Sequence, residues 1–218
     1  MLLRFLLADD HDLTRSGLRY LLEKRKDWTV CGEASNGRLA VELAMELRPD
    51  FAILDMSMPE MNGLEATRQI LKKQPQMKIL IYTMHETEKV ILDVLDAGAR
   101  GVVLKSDAGE NLVAAVESIT KGRRFFTSRV AETVVEAYLA KRSTSGDDEA
   151  PAGATLTSRE REVVQLLAEG KSNKEVADCL GISPRTAEGH RGEIMKKLKL
   201  GSLAELIRYA IRNGIVQP

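Results

Sequence analysis

The chain has 218 residues, which suits one large domain or two ordinary ones. Hydrophobic residues make up 44%, enough for a core, and 32 basic residues balance 32 acidic ones, which excludes a disordered polyelectrolyte or a uniformly basic nucleic-acid coat. No apolar run approaches the roughly 18 residues of a membrane span, the apolar start meets Asp9 and Asp10 too soon for a signal peptide, and Cys31 and Cys179 stand far apart. A cytoplasmic protein is expected, with reduced thiols and with no membrane contact, disulfide or zinc site.

Through residues 1–121 short apolar runs alternate with helical periodicity. Strands are predicted at 3–8, 29–34, 51–54, 78–82 and 101–104, and helices near 13–25, 37–47, 63–73, 87–97 and 109–121. Five strand-then-helix units predict an α/β domain, a parallel sheet with helices on both faces. Residues 122–141 are expected to connect this domain onward, chiefly through an amphipathic helix over 128–141. Residues 142–154 hold two glycines, Pro151, the acidic run Asp147-Asp148-Glu149 and no large apolar residue, which predicts a flexible linker. From 155 to 218 the pattern is all helix. Thr157 with Glu160, Ser172 with Glu175, and Ser202 with Glu205 have capping-box spacing, and Ser183-Pro184 reads as an N-cap followed by proline at the first helical position. Four helices with a turn at Leu180-Gly181-Ile182 make a helix-turn-helix candidate. Residues 1–121 carry 16 basic and 19 acidic residues, and 155–218 carry 11 and 8. That asymmetry points weakly to a polyanionic partner of the tail.

Parallel strands bring their C-terminal ends to one edge, where ligands of open α/β sheets bind. Asp9, Asp10, Asp55, Thr83 and Lys105 follow four of the predicted strands and therefore converge. Singly, each has a plainer role. Asp10 or Asp12 fits a helix cap, Asp55 a turn, Lys105 a solvated strand end, and Thr83 an ordinary strand residue. Together they suit phosphoryl transfer. A divalent cation, Mg²⁺, would offset the carboxylates, with Asp10 and Asp55 as direct ligands, Asp9 acting through water and the Ser57 carbonyl as a further oxygen. Asp55 is then poised to take a phosphoryl group as an acyl phosphate, with Lys105 and Thr83 contacting its oxygens.

With Asp9-Asp10, Asp55-Met56-Ser57-Met58-Pro59 leading to Asn62-Gly63, Thr83 and Lys105, residues 1–121 resemble the receiver domain of bacterial two-component response regulators. The tail segments Leu156–Val163, Ser172–Ala177 and Ser183–Arg191 resemble LuxR-type DNA-binding domains. Across its length the chain is similar to the NarL/FixJ class. The resemblance implies a flavodoxin-like, doubly wound, five-stranded receiver followed by an all-α four-helix LuxR-type helix-turn-helix domain. It further implies phosphorylation of Asp55 by a cognate histidine kinase, Mg²⁺ dependence and homodimerisation on phosphorylation. The implied action is on double-stranded promoter DNA, with RNA polymerase as a further partner. Two positions depart from the pattern. Val102 stands where receivers commonly carry an aromatic switch residue, and Lys105 is followed by Ser106 instead of proline, so a trans bond is expected there.

On a helix starting at Pro184, Ala187, His190, Ile194 and Leu198 share the side expected to face the core. Arg185, Glu188, Gly189, Gly192 and Lys196 form the opposite stripe, with Arg191 on a flank, and Thr186 is a further candidate for DNA contact. Such a stripe enters the major groove in helix-turn-helix proteins. Arg185 is the candidate for base or phosphate contact, while Lys174, Arg191, Lys196, Lys197 and Lys199 are expected to meet phosphates. Glu188 can accept from cytosine N4. In the last helix Leu203, Leu206, Ile207, Ala210 and Ile211 divide between core and a dimer seam. Two alternatives remain at this point. Asp10-His11-Asp12-Leu13-Thr14 matches the Asp-x-Asp-x-Thr motif of haloacid dehalogenase-like aspartyl-phosphate phosphatases, with Asp10 as nucleophile and Asp12 as acid. A DNA-binding regulator independent of phosphate is the other. Ser57 and His85 flank the site and are candidates to affect hydrolysis.

Overall fold

Side chains along the central strands alternate between two apolar faces, and that alternation sets the architecture of the first part of the chain. The structure is a computed structural model and describes residues 2–84, 87–128, 130–132, 135 and 156–216. It divides into two compact units, Met1–Ser145 and Gly146–Pro218. In chain order the first unit contains β1 (Leu3–Ala8), α1 (Asp12–Glu23), β2 (Trp28–Ala34), α2 (Gly37–Leu47), β3 (Phe51–Asp55) and α3 (Gly63–Lys73). These are followed by β4 (Lys78–Thr83), α4 (Glu88–Asp96), β5 (Gly101–Leu104), α5 (Ala108–Thr120) and β6 (Phe125–Phe126).

All strand pairs are parallel, in the order β2-β1-β3-β4-β5-β6. Leu6, Ala8, Ala52, Leu54, Ile79, Ile81 and Val102 bury one face with residues of α2, α3 and α4. Phe5, Leu7, Phe51, Ile53, Leu80, Tyr82 and Val103 bury the other with Leu18 and Leu22 of α1 and Leu112, Val116 and Ile119 of α5. Because both faces are covered, the strands read as nearly continuous apolar runs.

The sheet has six strands where five were expected. Gly122, at φ 80°, ends α5, and its N–H donates to the Ile119 carbonyl. The chain then turns, and Phe125-Phe126 pairs with Gly101-Val102. The expected connecting segment 122–141 thus begins with a turn and a strand. Residues 128, 130–132 and 135 are helical, whereas the expected linker 142–154 lies outside the described residues, as does His85.

The second unit contains α6 (Ser158–Ala168), α7 (Asn173–Leu180), α8 (Pro184–Lys197) and α9 (Leu203–Arg212) around Val163, Leu166, Val176, Ala187, Ile194, Leu206 and Ala210. The capping boxes at Thr157/Glu160 and Ser172/Glu175 form in full. Ser183 caps α8 by accepting from the Thr186 N–H, with Pro184 at its start. The pair Ser202/Glu205 forms only half a box. Ser202 accepts from the Glu205 N–H, but the Glu205 carboxylate reaches the Gly201 N–H at 2.6 Å. Gly181, at φ 62°, closes α7 and turns the chain into α8. Among the described residues no helix is long and apolar enough to cross a membrane.

Candidate functional site

The C-terminal ends of β1, β3, β4 and β5 deliver the expected side chains to one rim. Lys105, directly after β5, places Nζ 2.7 Å from Asp9 Oδ2 and 3.0 Å from Asp55 Oδ2. Asp9 and Asp55 are buried, and Thr83 is buried at the end of β4. Ser57 supports the Asp55 carboxylate through its backbone N–H. Burial pushes the Asp55 carboxyl up to about 6; Lys105 opposes that rise and the Asp9 charge adds to it. For Lys105, burial alone would lower the pKa, but the hydrogen bond to Asp9 and the Asp55 charge outweigh it and the pKa rises.

Asp10 is exposed beside them, and His11 Nδ1 lies 2.7 Å from Asp10 Oδ1 and 3.3 Å from Asp9 Oδ1. The His11 N–H also donates to Asp9 Oδ1 at 2.8 Å. Neither Asp10 nor Asp12 caps α1; His11 occupies the N-cap position and no side-chain cap bond forms there. Asp12, the acid of the phosphatase alternative, is 87% exposed and ion-paired with Arg15. The donor set of Asp9, Asp10 and Asp55 is carboxylate oxygen, the chemistry of a hard divalent cation. Two buried carboxylates share the single Lys105 ammonium, and the raised Asp55 pKa reflects burial with incomplete compensation. The residues therefore fit Mg²⁺.

The loop between β3 and α3 is pinned at both ends. The Gly63 N–H donates to the Met56 carbonyl at 2.9 Å, and the Gly37 N–H donates to the Met61 carbonyl at 3.0 Å. A β-carbon at residue 63 would overlap the Asp55 carbonyl oxygen, and one at residue 37 would overlap the Met61 carbonyl oxygen. Glycine is needed at both positions for close backbone approach. Asn62 caps α3 by accepting from the Glu65 N–H at 2.9 Å.

Three neighbours of the site escaped the sequence reading. Arg15 Nη1 donates to the Asp9 carbonyl at 2.6 Å while its Nε donates to Glu33 at 3.2 Å, so α1 clamps the end of β1. Tyr82 lies beneath Lys105, with Nζ 5.4 Å from the ring centroid. His11 touches both members of the acidic pair. Only Arg15 left a sequence signal, its i,i+3 spacing from Asp12. Val102 is aliphatic and buried on the sheet face away from Tyr82. Every described peptide bond is trans, including that of Lys105-Ser106.

In the second unit α8 exposes Arg185, Thr186, Glu188, Gly189, Gly192 and Lys196, with Arg191 half-buried on the flank, and Lys174 is exposed on α7. Ala187 and Ile194 are buried, while His190 and Leu198 are only partly so. Lys197 departs from the expectation. Its Nζ donates to Glu160 Oε2 at 2.7 Å and ties α8 to the capping box of α6, so its charge is spent inside the domain. On α9, Leu206 and Ala210 enter the core, whereas Leu203 and Ile211 are exposed and Ile207 half-buried.

A parallel six-stranded α/β unit with an acidic rim, joined to a capped helix-turn-helix, defines a class of regulatory protein. The chain matches the response regulator receiver domain over residues 5–117 and the luxR family of bacterial regulatory proteins over residues 154–210. It is 36% identical over 216 residues to the uncharacterized transcriptional regulatory protein YxjL of Bacillus subtilis, covering 99% of this chain and 98% of that one. Among solved structures it is similar to a LuxR-family two-component response regulator from Aurantimonas sp. SI85-9A1, with TM-score 0.61 and 37% identity over 64% of this chain and 99% of that one. It is also similar to RcsB from Salmonella enterica serovar Typhimurium bound to a promoter in the presence of phosphomimetic BeF3⁻ (TM-score 0.61, 25% identity, 98% and 99% covered). The chain belongs to the two-component response regulators of the NarL/FixJ class, transcription factors with a receiver and a LuxR-type DNA-binding domain.

Proposed function

We propose that Asp55 accepts a phosphoryl group from a cognate histidine kinase and that this controls binding of the LuxR-type domain to promoter DNA. The observation that carries the reading is the Lys105 ammonium held between Asp9 and Asp55, at 2.7 and 3.0 Å. An Asp55 oxygen attacks phosphorus, the phosphorus–nitrogen bond of the phosphohistidine breaks, and an acyl phosphate forms on Asp55. Lys105 then pairs with a phosphoryl oxygen, and the Thr83 hydroxyl donates to another. Asp9, Asp10, Asp55 and the Ser57 carbonyl would hold Mg²⁺, which supplies neutralising charge to the transferring group when bound. Val102 gives the usual switch position no ring to turn inward.

Residues 1–121 are assigned to the receiver, 122–141 to the connection, 142–154 to a linker and 155–218 to the DNA-binding domain, in a cytoplasmic protein. Lys174, Arg185, Thr186, Glu188, Gly189, Arg191, Gly192 and Lys196 face DNA. Arg185 reads base edges or phosphate, and the lysines meet phosphates. Similarity over nearly the whole chain to a promoter-bound regulator supports this assignment. The apolar side chains Leu203, Ile207 and Ile211, spaced one turn apart, support a homodimer seam on α9.

Intact-mass spectrometry after incubation with acetyl phosphate and Mg²⁺ tests the acceptor. One phosphoryl increment on wild type and none on Asp55→Asn is expected. An increment on both proteins, or on neither, would overturn the assignment. Light scattering of the same samples checks that dimer formation follows labelling.

A further inference from the structure

Lys105 carries its charge on a flexible four-carbon stem, and two carboxylates alone do not fix which side of them it occupies. The structure supplies a third partner. Tyr82 is paired in register with Asp55 across β3 and β4, and its ring belongs to the buried cluster of Leu7, Ile53, Val103, Leu112 and Val116. The ring is thus anchored by the sheet face covered by α1 and α5. The Lys105 Nζ stands 5.4 Å from its centroid, within the range over which an aromatic face attracts an ammonium. The Lys105 side chain is only 14% exposed, and the ring, Asp9 and Asp55 bound its ammonium on the protein side.

We infer that Tyr82 is a positioning residue for Lys105, holding the ammonium against the Asp9–Asp55 pair so that it meets the incoming phosphoryl oxygens. The role rests on the phosphoacceptor reading of Asp55. When one Asp55 oxygen becomes the bridging oxygen of the acyl phosphate, the ammonium loses part of its partner there and must turn to the phosphoryl group. The ring limits that movement to a short excursion across its face. The contribution comes from the negative face of the ring, so it does not require the phenolic hydroxyl.

The test uses the full-length chain with acetyl phosphate and Mg²⁺, following initial labelling rates by intact mass. Tyr82→Leu is expected to slow labelling roughly three- to ten-fold, the size of a partly desolvated cation–π contact, and Tyr82→Phe to restore most of the rate. Both variants would also follow if the ring only filled space, so a third measurement separates the two roles. Phenylalanines of increasing fluorination, placed at position 82, weaken the ring's negative face while leaving its shape nearly unchanged. A rate that falls stepwise with each fluorine supports positioning by the ring face. A flat series, or a Tyr82→Leu rate equal to wild type, would overturn it while leaving Asp55 as acceptor. Failure of wild type itself to label would instead overturn the acceptor reading, and the positioning role with it.

Discussion

Removing the charge of Asp55 should stabilise the receiver in a pH-dependent way. The rise of its pKa from 3.8 to about 6 makes ionisation in the fold unfavourable by about 3 kcal/mol. Below pH 3.8 the carboxyl is neutral in both folded and unfolded chains. Between 3.8 and 6 the unfolded chain has given up its proton while the fold retains it, so stability falls as pH rises. Above 6 both are ionised and the full cost is in place. Asp55→Asn is free of this cost. Without divalent ions, the variant should exceed wild type by about 3 kcal/mol at pH 7.5, but by only about 1 kcal/mol at pH 4.5. Trp28 is the sole tryptophan and is buried in the receiver, so its fluorescence during urea unfolding follows this domain separately from the tail. Millimolar Mg²⁺ should narrow the gap at pH 7.5 by stabilising wild type more than the variant. A gap of equal size at both pH values, or a variant less stable than wild type at pH 7.5, would refute the argument that burial outweighs Lys105.

Gly63→Ala should lower receiver stability by at least about 2 kcal/mol and abolish labelling, because the new methyl overlaps the Asp55 carbonyl. Urea unfolding and intact mass measure the two effects. Lys196→Ala should reduce the salt dependence of DNA binding by about one phosphate contact. Lys197→Met should leave that slope unchanged and cost the tail domain about 1 kcal/mol, since its partner is Glu160. Binding titrations at several salt concentrations and thermal unfolding separate these two neighbours. Arg15→Met should weaken Mg²⁺ binding measured by calorimetry, because the Asp9 carbonyl and Glu33 lose their common clamp.

Much of the rim was legible because parallel topology is itself legible. Once the apolar runs before Asp9, Asp55, Thr83 and Lys105 are read as parallel strands, their ends must meet, whatever the details of packing. The helix starts at Thr157, Ser172 and Ser183 were equally readable, since a cap bonds to residues two or three positions away. Tyr82 and Lys197 act through partners far along the chain, and Arg15 joins its near neighbours Asp9 and Asp12 to the distant Glu33. Nothing near Tyr82 in sequence announces that Lys105 rests on its ring, and Lys197 looks like any other lysine of a basic helix end until α6 is placed beside it. The two residues of β6 are too few to show any periodicity. For Ser202 the spacing to Glu205 was right, but backbone geometry gave the carboxylate a nearer donor in Gly201.

The short pairing of Phe125-Phe126 bears on how this chain can be divided. Residues 101–104, Gly-Val-Val-Leu, form an apolar strand whose first two residues, Gly101 and Val102, pair on their outer side with β6. A fragment ending at residue 121 would keep α5 but leave that strand as a bare sheet margin. An uncovered apolar margin invites pairing with the same margin of another molecule. Such a fragment would self-associate through an artefact of where it was cut, and its oligomers would say nothing of phosphorylation. A fragment continued through Thr127 keeps the Gly101-Val102 part of that margin paired.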